Sequence, residues 1–170
     1  MWVTLDFEAS GLTDASYPIE VGFSLPDGAS VSLLINPDSS PEAWQYWDDY
    51  AEFEIHGISR DCLKINGLSV FDVCAHLNNT LCYFDDVLCD SQWDLFWLGR
   101  LYKAAHMRPT FTLTEVGHWL HRHDGVDRKD FLSALESLGP APHRAEADAK
   151  QIRRALTMVL EGQHSHQSCS

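Results

Sequence analysis

Two acidic residues near the start of the chain, Asp6 and Glu8, have the type and spacing of a metal-binding pair. The segment Trp2–Glu8 is rich in β-branched and aromatic residues and is followed by a Ser-Gly pair, which predicts a strand that ends in a turn. Because side chains alternate across a strand, both carboxylates point to one face, with Cα atoms about 6–7 Å apart. Hard divalent cations prefer oxygen ligands of this kind. Taken alone, the pair is better explained by two solvated carboxylates at a strand end.

A second acidic segment, Cys89-Asp90-Ser91-Gln92-Trp93-Asp94, lies where a predicted strand over Tyr83–Cys89 gives way to a helix. Asp94 is placed at the helix start, where aspartate is favoured as an N-terminal cap. Capping by itself would therefore explain Asp94.

The third element is His143 with Asp148, five residues apart. On one helix these two residues would be about 140° apart, which is too far to share a face. Pro140 and Pro142 predict that the helix begins after them, since the residue before a proline avoids helical angles. His143 is then on the incoming loop and Asp148 in the early helix, an arrangement that suits a mobile base beside a metal ligand.

The length of 170 residues fits one domain, predicted over residues 1–161, with a disordered polar tail at 162–170. No apolar run is long enough to span a bilayer, and no membrane association is expected. The five cysteines form no Cys-x-x-Cys pair, so neither a zinc site nor a disulfide framework is indicated. A reducing cytoplasmic setting is the expectation.

The charge is distributed unevenly. The formal net charge is −13, which argues against a protein that coats duplex nucleic acid by neutralising phosphates. Residues 1–59 contain 11 acids and no lysine or arginine, whereas residues 100–154 contain 10 bases and 7 acids. This asymmetry favours a polyanionic ligand that binds at one site of the protein. Such an uneven charge distribution more commonly reflects charged surface residues that keep a protein soluble.

The elements that must position these residues form a mixed pattern of strands first and interleaved helices later, typical of an α/β sheet packed by helices. Strands are predicted at Trp2–Glu8, Pro18–Leu25, Ser30–Ile35 and Tyr83–Cys89, with a hairpin turn at Pro26-Asp27-Gly28. Residues 42–69 are predicted to be irregular. Helices are predicted at Val70–Leu81, Leu95–Ala105, Leu113–His121, Lys129–Leu138 and about Arg144–Leu160.

These motifs together resemble the DEDDh group of 3′–5′ exonucleases, which includes the proofreading subunit of bacterial DNA polymerase III, ribonuclease T and oligoribonuclease. The resemblance covers roughly residues 1–160. It rests on four motifs in the family's order, namely Asp6-x-Glu8 with Gly11-Leu12, Ile55-His56-Gly57-Ile58, Trp93-Asp94, and His143-x4-Asp148. One departure is that relatives often carry asparagine at the position of Asp90, so Asp90 competes with Asp94 for the role of the third carboxylate. Asp94 is favoured, because it follows the aromatic residue and opens the helix as in the family.

The resemblance implies a ribonuclease-H-like fold, in which a three-stranded antiparallel start continues into parallel strands flanked by helices. It implies two Mg²⁺ or Mn²⁺ ions held by the four carboxylates Asp6, Glu8, Asp94 and Asp148, with His143 as the general base. Substrate contacts are implied for four further residues, which are Ala9, Ser10, Leu12 and His56. The implied partner is a nucleic acid with a free 3′ end, single-stranded or a short oligonucleotide.

The implied reaction is hydrolysis of the terminal phosphodiester bond, which releases nucleoside 5′-monophosphates. The alternative is a catalytically silent relative that binds nucleic acid or regulates a larger complex. The sequence leaves open whether DNA or RNA is the substrate, since no residue indicates whether a 2′-hydroxyl group is bound or excluded. It also leaves the oligomeric state open between monomer and homodimer.

Overall fold

A mixed five-stranded sheet forms the centre of the protein, in the strand order β3-β2-β1-β4-β5. The computed structural model describes residues 1–122 and 126–167. The strands are β1 (Trp2–Ala9), β2 (Pro18–Ser24), β3 (Ser30–Leu34), β4 (Asp86–Cys89) and β5 (Leu113–Glu115). β1, β2 and β3 are antiparallel, whereas β4 runs parallel to β1 and β5 parallel to β4. The predicted mixed sheet with an antiparallel start is confirmed.

Helices cover both faces of this sheet. They are α1 (Arg60–Asn66), α2 (Val70–Leu81), α3 (Gln92–Ala104), α4 (Val116–Leu120), α5 (Arg128–Ser137) and α6 (Ala145–Gln167). A 3₁₀ turn at Pro37–Ser39 and a π-helical turn at Ala51–His56 complete the elements. None of the helices within the described residues is long and apolar enough to cross a membrane.

The two faces of the central strand have different chemistry. Val3, Leu5 and Phe7 are buried in the main hydrophobic core, which also contains the apolar sides of α2 and α3. The opposite face of β1 carries Thr4, and after it Asp6 and Glu8 in the same alternation. α6 packs over this second face, on β1 and β2.

Small residues let α6 approach the sheet closely. A Cβ atom added to Gly22 on β2 would lie 2.1 Å from the backbone nitrogen of Glu146. Ala145 and Ala149 are fully buried on the underside of the helix. The hydroxyl of Thr4 donates a hydrogen bond of 2.6 Å to the carbonyl oxygen of Ala149. The first turns of α6 are therefore held directly against the strand that carries the acidic pair.

Three elements differ from the sequence predictions. The segment predicted to be irregular contains α1, which Ser59 caps by accepting a hydrogen bond from the Cys62 N–H at 3.1 Å. The helix predicted from Leu113 begins instead as strand β5, because pairing with β4 outweighs local helical periodicity over these three residues.

The end of the last helix also differs. α6 continues to Gln167, so residues 162–167, predicted as a disordered tail, have a helical backbone. A polar composition does not by itself end a helix that tertiary packing has already started. Residues 168–170 of the predicted tail lie outside the described residues.

Candidate active site

Asp6 and Glu8 lie on the central strand and share the face that α6 covers. The register between β1 and β2 shifts by one residue immediately after the pair, since Glu8 is opposite Glu20 and Ala9 is opposite Pro18. Bulges re-aim side chains at the end of a strand and are frequent beside active sites. The sequence prediction that the two carboxylates point to the same side of the sheet is consistent with this geometry.

Asp94 reaches the same region from the first turn of α3. Its side chain is 1 % exposed, and one carboxylate oxygen, Oδ1, accepts a hydrogen bond of 3.1 Å from the Phe7 N–H on β1. The other oxygen, Oδ2, is buried without a hydrogen-bond partner among the described residues. The helix cap is Ser91, whose hydroxyl accepts from the Trp93 N–H at 3.1 Å. Although burial raises the pKa of Asp94, a contact of its carboxylate with the backbone of Ser91 lowers it, so Asp94 contributes to the helix start as well as reaching β1.

His143 and Asp148 approach from the start of α6. His143 lies on the loop before the helix, is exposed, and adopts left-handed backbone angles with φ of 56°. Asp148 is half-buried in the first turn, where its Oδ2 accepts a hydrogen bond of 2.9 Å from the Arg144 N–H. The predicted arrangement, with the histidine on the incoming loop and the carboxylate on the helix, is present.

Glu20 on β2 fixes this helix start, and the sequence analysis missed it. Its buried carboxylate accepts two hydrogen bonds from the Arg144 guanidinium, at 3.0 and 2.8 Å, and one from the Ala145 N–H at 3.1 Å. Although burial raises the pKa of Glu20, these hydrogen bonds bring it below the usual value. The contacts anchor the residues that directly follow His143. The available signal was a lone acid within an otherwise apolar strand.

The carboxylates of the site raise one another's pKa values. Burial, with the charges of Asp94 and Glu8, raises the pKa of Asp6 well above its usual range. Burial and the charge of Asp148 raise the pKa of Glu8 to about 8. Burial and the charge of Asp90 raise the pKa of Asp94. No ion pair between described residues compensates Asp6, Glu8 or Asp94.

The same carboxylates form two groups with dimensions that suit metal ions. One group is Asp6, Glu8 and Asp148, and the other is Asp6, Asp90 and Asp94; in each, one oxygen per residue lies within 4.8 Å of the others. Oxygens around one Mg²⁺ at about 2.1 Å lie up to about 4.2 Å apart, so little movement is required. The unpartnered Oδ2 of Asp94 and the all-oxygen donor set fit divalent cations. Asp6 belongs to both groups.

Two cavities meet at this centre. The first, here called the acidic cleft, has a volume of about 530 Å³ and includes Asp6, Glu8, Asp90, His143 and Asp148, with Leu132 and Glu136 of α5 on its far side. The second, here called the apolar cavity, has a volume of about 290 Å³ and includes Glu8, Ala9, Leu12, Tyr50, His56, Trp97 and His143. Glu8 and His143 line both, so the two cavities adjoin at these side chains.

The residues predicted to bind substrate have different surroundings. Ala9 and Leu12 line the apolar cavity, and Leu12 is 67 % exposed. His56 also lines it; its Nδ1 accepts from the Ile58 N–H at 3.0 Å, whereas its Nε2 is buried without a partner among the described residues. Ser10 is buried and does not line this cavity. Its hydroxyl accepts a hydrogen bond from the Tyr17 N–H, and its backbone groups are also hydrogen-bonded.

Ser10 therefore holds the strand end together. Its N–H donates to the carbonyl oxygen of Tyr17 at 3.0 Å, and its own carbonyl accepts from the Asp48 N–H at 2.9 Å. The hydroxyl and the backbone polar groups of Ser10 are thus engaged within the protein. Tyr50 and Trp97 are cavity residues that the sequence analysis did not assign to the site.

Comparison with solved structures shows the fold. Searches of protein-family models and of curated proteins find no match. The chain is similar to exonuclease I of E. coli bound to single-stranded DNA, with a TM-score of 0.68, 13% identity and 95% of this chain covered. It is similar to exonuclease I of Methylocaldum szegediense, with a TM-score of 0.61, 16% identity and 91% covered.

A third structure, E. coli exonuclease I with a dT13 oligonucleotide, gives a TM-score of 0.63 at 11% identity over 94% of this chain. The chain spans 40% of the length of each of these three proteins. At these identities the likeness establishes the architecture. The protein has a ribonuclease-H-like fold, with a mixed sheet flanked by helices.

Proposed function

We propose that the protein is a DEDDh-type 3′–5′ exonuclease that removes nucleoside 5′-monophosphates from single-stranded nucleic acid. The observation that carries this proposal is the pair of carboxylate groups that share Asp6 and lie beside His143. The similarity in fold to exonuclease I, including complexes with single-stranded DNA, supports it. The alternative of a catalytically silent relative is less well supported, because Asp6, Glu8, Asp148 and His143 line one cleft and the fourth acid, Asp94, lies in a carboxylate group with Asp6.

The carboxylates Asp6, Glu8, Asp94 and Asp148 would hold two Mg²⁺ or Mn²⁺ ions. When bound, such ions stabilise charge on the attacking and leaving oxygens of a phosphodiester. The remaining roles, proton transfer and positioning of the general base, belong to residues of the chain itself. His143, exposed at the edge of both cavities, takes the proton from the attacking water. Its backbone is fixed by the neighbouring contact between Arg144 and Glu20.

The apolar cavity provides the place for the terminal nucleoside. It adjoins the acidic cleft at Glu8, so a nucleoside placed there presents its 5′ phosphate toward the carboxylates. Leu12 and Tyr50 offer apolar and aromatic surface for a base. The unpartnered Nε2 of His56 offers one hydrogen-bond donor, since its Nδ1 already accepts from the backbone.

The distribution of basic residues favours binding of only a few nucleotides of the substrate. Among the described residues, neither cavity is lined by a lysine or an arginine. Arg60 and Arg100 instead donate to backbone carbonyl groups, and Arg144 is paired with Glu20. With a net charge of −13, binding depends on the metal ions and the terminal nucleotide. We therefore expect a preference for single-stranded ends and short oligonucleotides over long duplexes.

The experiment is digestion of matched DNA and RNA 20-mers, labelled at the 5′ end, with Mn²⁺ or with EDTA. The expected result is a Mn²⁺-dependent ladder that shortens from the 3′ end, with nucleoside 5′-monophosphates identified by mass spectrometry. Asp6→Asn should abolish cleavage, and His143→Gln should slow it by about 10²–10⁴-fold. The matched control is Asp14→Asn, an exposed aspartate on the loop after β1, which should cleave at the wild-type rate.

Two results would count against the proposal. The first is an absence of Mn²⁺-dependent product from either nucleic acid, which would favour the silent relative. The second is equal cleavage by wild type and Asp6→Asn, which would indicate a contaminating nuclease.

A further inference from the structure

Asp90 lies beside Asp6 because of the register between two parallel strands. β1 and β4 pair with Val3 opposite Val87 and Thr4 opposite Leu88. Continuing this register by two residues brings Asp6 opposite Asp90, directly after β4 ends. Because side chains alternate along a strand, Asp90 is in phase with Thr4 and Asp6, on the face that α6 covers.

The distances and the burial connect Asp90 to a metal ion rather than to solvent. One oxygen each of Asp6, Asp90 and Asp94 lies within 4.8 Å of the others. The Oδ2 atom of Asp94, a side chain 1 % exposed, has no hydrogen-bond partner among the described residues. A buried carboxylate oxygen without a donor is costly unless a cation or a proton satisfies it. In the metal-free protein a proton can satisfy this oxygen, and a divalent cation shared with Asp6 and Asp90 would replace that proton.

The charges around Asp90 lead to the same assignment. Ion pairs in the described part of the chain do not include Asp6, Asp90 or Asp94. Arg128, whose positive charge lowers the pKa of Asp90, pairs with Glu115. Three carboxylates so close together repel one another strongly without a positive charge between them.

We propose that Asp90 is a direct ligand of the second divalent cation, together with Asp6 and Asp94, so that this chain holds its two ions with five carboxylates. The inference rests on the proposed function and adds a ligand at a position where relatives of the resembled family often carry asparagine. A neutral amide would leave the second ion with less charge compensation. Asp90 therefore allows both ions to load on the free protein, before a substrate phosphate contributes oxygen ligands.

The test counts Mn²⁺ ions bound to the substrate-free protein, with free Mn²⁺ measured by electron paramagnetic resonance. Wild type should bind two ions per chain. Asp90→Asn, which keeps the size of the side chain, should bind one ion unchanged and the other at least about tenfold more weakly. The matched control is Glu136→Gln, which removes one exposed charge from the same cleft but belongs to neither carboxylate group. It should still bind two ions.

Thermal unfolding gives a second readout that does not depend on catalysis. In EDTA at pH 8.5, Asp90→Asn should melt at a higher temperature than wild type, because the variant removes one of three acids that either repel one another as carboxylates or must hold a proton against the pH. In Mn²⁺ the order should reverse, because wild type gains more from the ions that it binds. If Asp90→Asn does not fold cooperatively in EDTA, Asp90→Ser replaces it in both measurements.

The outcomes separate this inference from the proposed function. Two ions bound with equal affinity by wild type and the Asp90 variant would overturn the assignment of Asp90 and leave the exonuclease proposal intact. An equal loss in Glu136→Gln would also overturn it, because the effect would then be a long-range charge effect. Failure of wild type to bind any Mn²⁺ would overturn both proposals. Two ions bound without any nuclease activity would overturn the proposed function alone.

Discussion

The stability of the metal-free protein should fall as the pH rises through neutrality, and Glu8 is the clearest cause. Burial and the charge of Asp148 raise the pKa of Glu8 from 4.5 to about 8. In the unfolded chain the carboxyl group has lost its proton well below pH 6.5, whereas in the folded protein it keeps the proton until about pH 8. The folded state therefore binds more protons in this interval, so the free energy of unfolding decreases with pH.

The magnitude follows from the titration of this one group. For a pKa of about 8, the protonated fraction of the folded Glu8 carboxyl, integrated from pH 6.5 to 8.5, is about 1.4 pH units. At about 1.4 kcal/mol per pH unit, Glu8 alone removes about 2 kcal/mol of stability over this range. For a domain of this size that lowers the Tm by about 4–8 °C. The raised pKa values of Asp6 and Asp94 act in the same direction.

The assay is thermal unfolding in EDTA at pH 6.5 to 8.5, for wild type and for Glu8→Gln. The two proteins should differ least at pH 6.5, and the variant should melt at the higher temperature at pH 8.5. His56 contributes little to the change of Tm with pH above about pH 7. Because burial lowers its pKa, His56 has already lost its proton in the folded protein at lower pH, and its effect on stability no longer changes. With Mn²⁺ present, the wild-type Tm should stop falling with pH, because metal binding requires deprotonated carboxylates.

Two outcomes would refute this reasoning. A wild-type Tm that stays constant or rises from pH 7 to 8.5 in EDTA would mean that the buried carboxylates are not protonated in the folded state. An identical pH slope in Glu8→Gln would mean that another group causes the decrease.

Three further predictions concern the contacts around the site. Gly22→Ala should lower the free energy of unfolding by about 1–3 kcal/mol, because the new Cβ would lie 2.1 Å from the backbone nitrogen of Glu146. The displaced start of α6 should also weaken Mn²⁺ binding. Thermal unfolding measures the first effect and Mn²⁺ titration the second. His56→Asn, which can keep an acceptor near the backbone but lacks Nε2, should raise the KM for a dinucleotide about 2–12-fold with kcat nearly unchanged, and an unchanged KM would exclude a substrate contact. Glu20→Gln should cost about 1–3 kcal/mol in thermal unfolding through the weakened contact with Arg144, and a wild-type Tm would contradict the anchoring role.

Elements whose own residues encode their ends were predictable. Ser69 accepts a hydrogen bond from the Asp72 N–H at 3.1 Å, and helix α2 occupies Val70–Leu81 as the periodicity predicts. The hairpin between β2 and β3 closes at Gly28, with φ of 88°, where the Pro-Asp-Gly signal places it. In both cases a short-range interaction decides the conformation, so a short stretch of sequence contains the necessary information.

Elements that depend on distant partners were not predictable in this way. β5 is three residues long and exists because Val87 and Leu113 pair across two parallel strands. The π-helical turn Ala51–His56 places His56 against the apolar cavity, and nothing in its local pattern distinguishes it from a loop. Such elements gain their stability from tertiary contacts, which outweigh weak local preferences.

The sequence by itself predicted the residues of the candidate site, because motif order and residue type identify the acids and the histidine without any coordinates. It favoured Asp94 over Asp90 by the position of Asp94 after the aromatic residue at the helix start, and it did not reveal that Glu20 holds the start of α6. The proximity of both aspartates to Asp6 and the contact of Glu20 with Arg144 depend on strand register and on the approach of α6 over Gly22, which join residues more than eighty positions apart. Only the folded chain brings Asp6 within reach of Asp90 and Asp94, because parallel pairing of β1 with β4 fixes that distance.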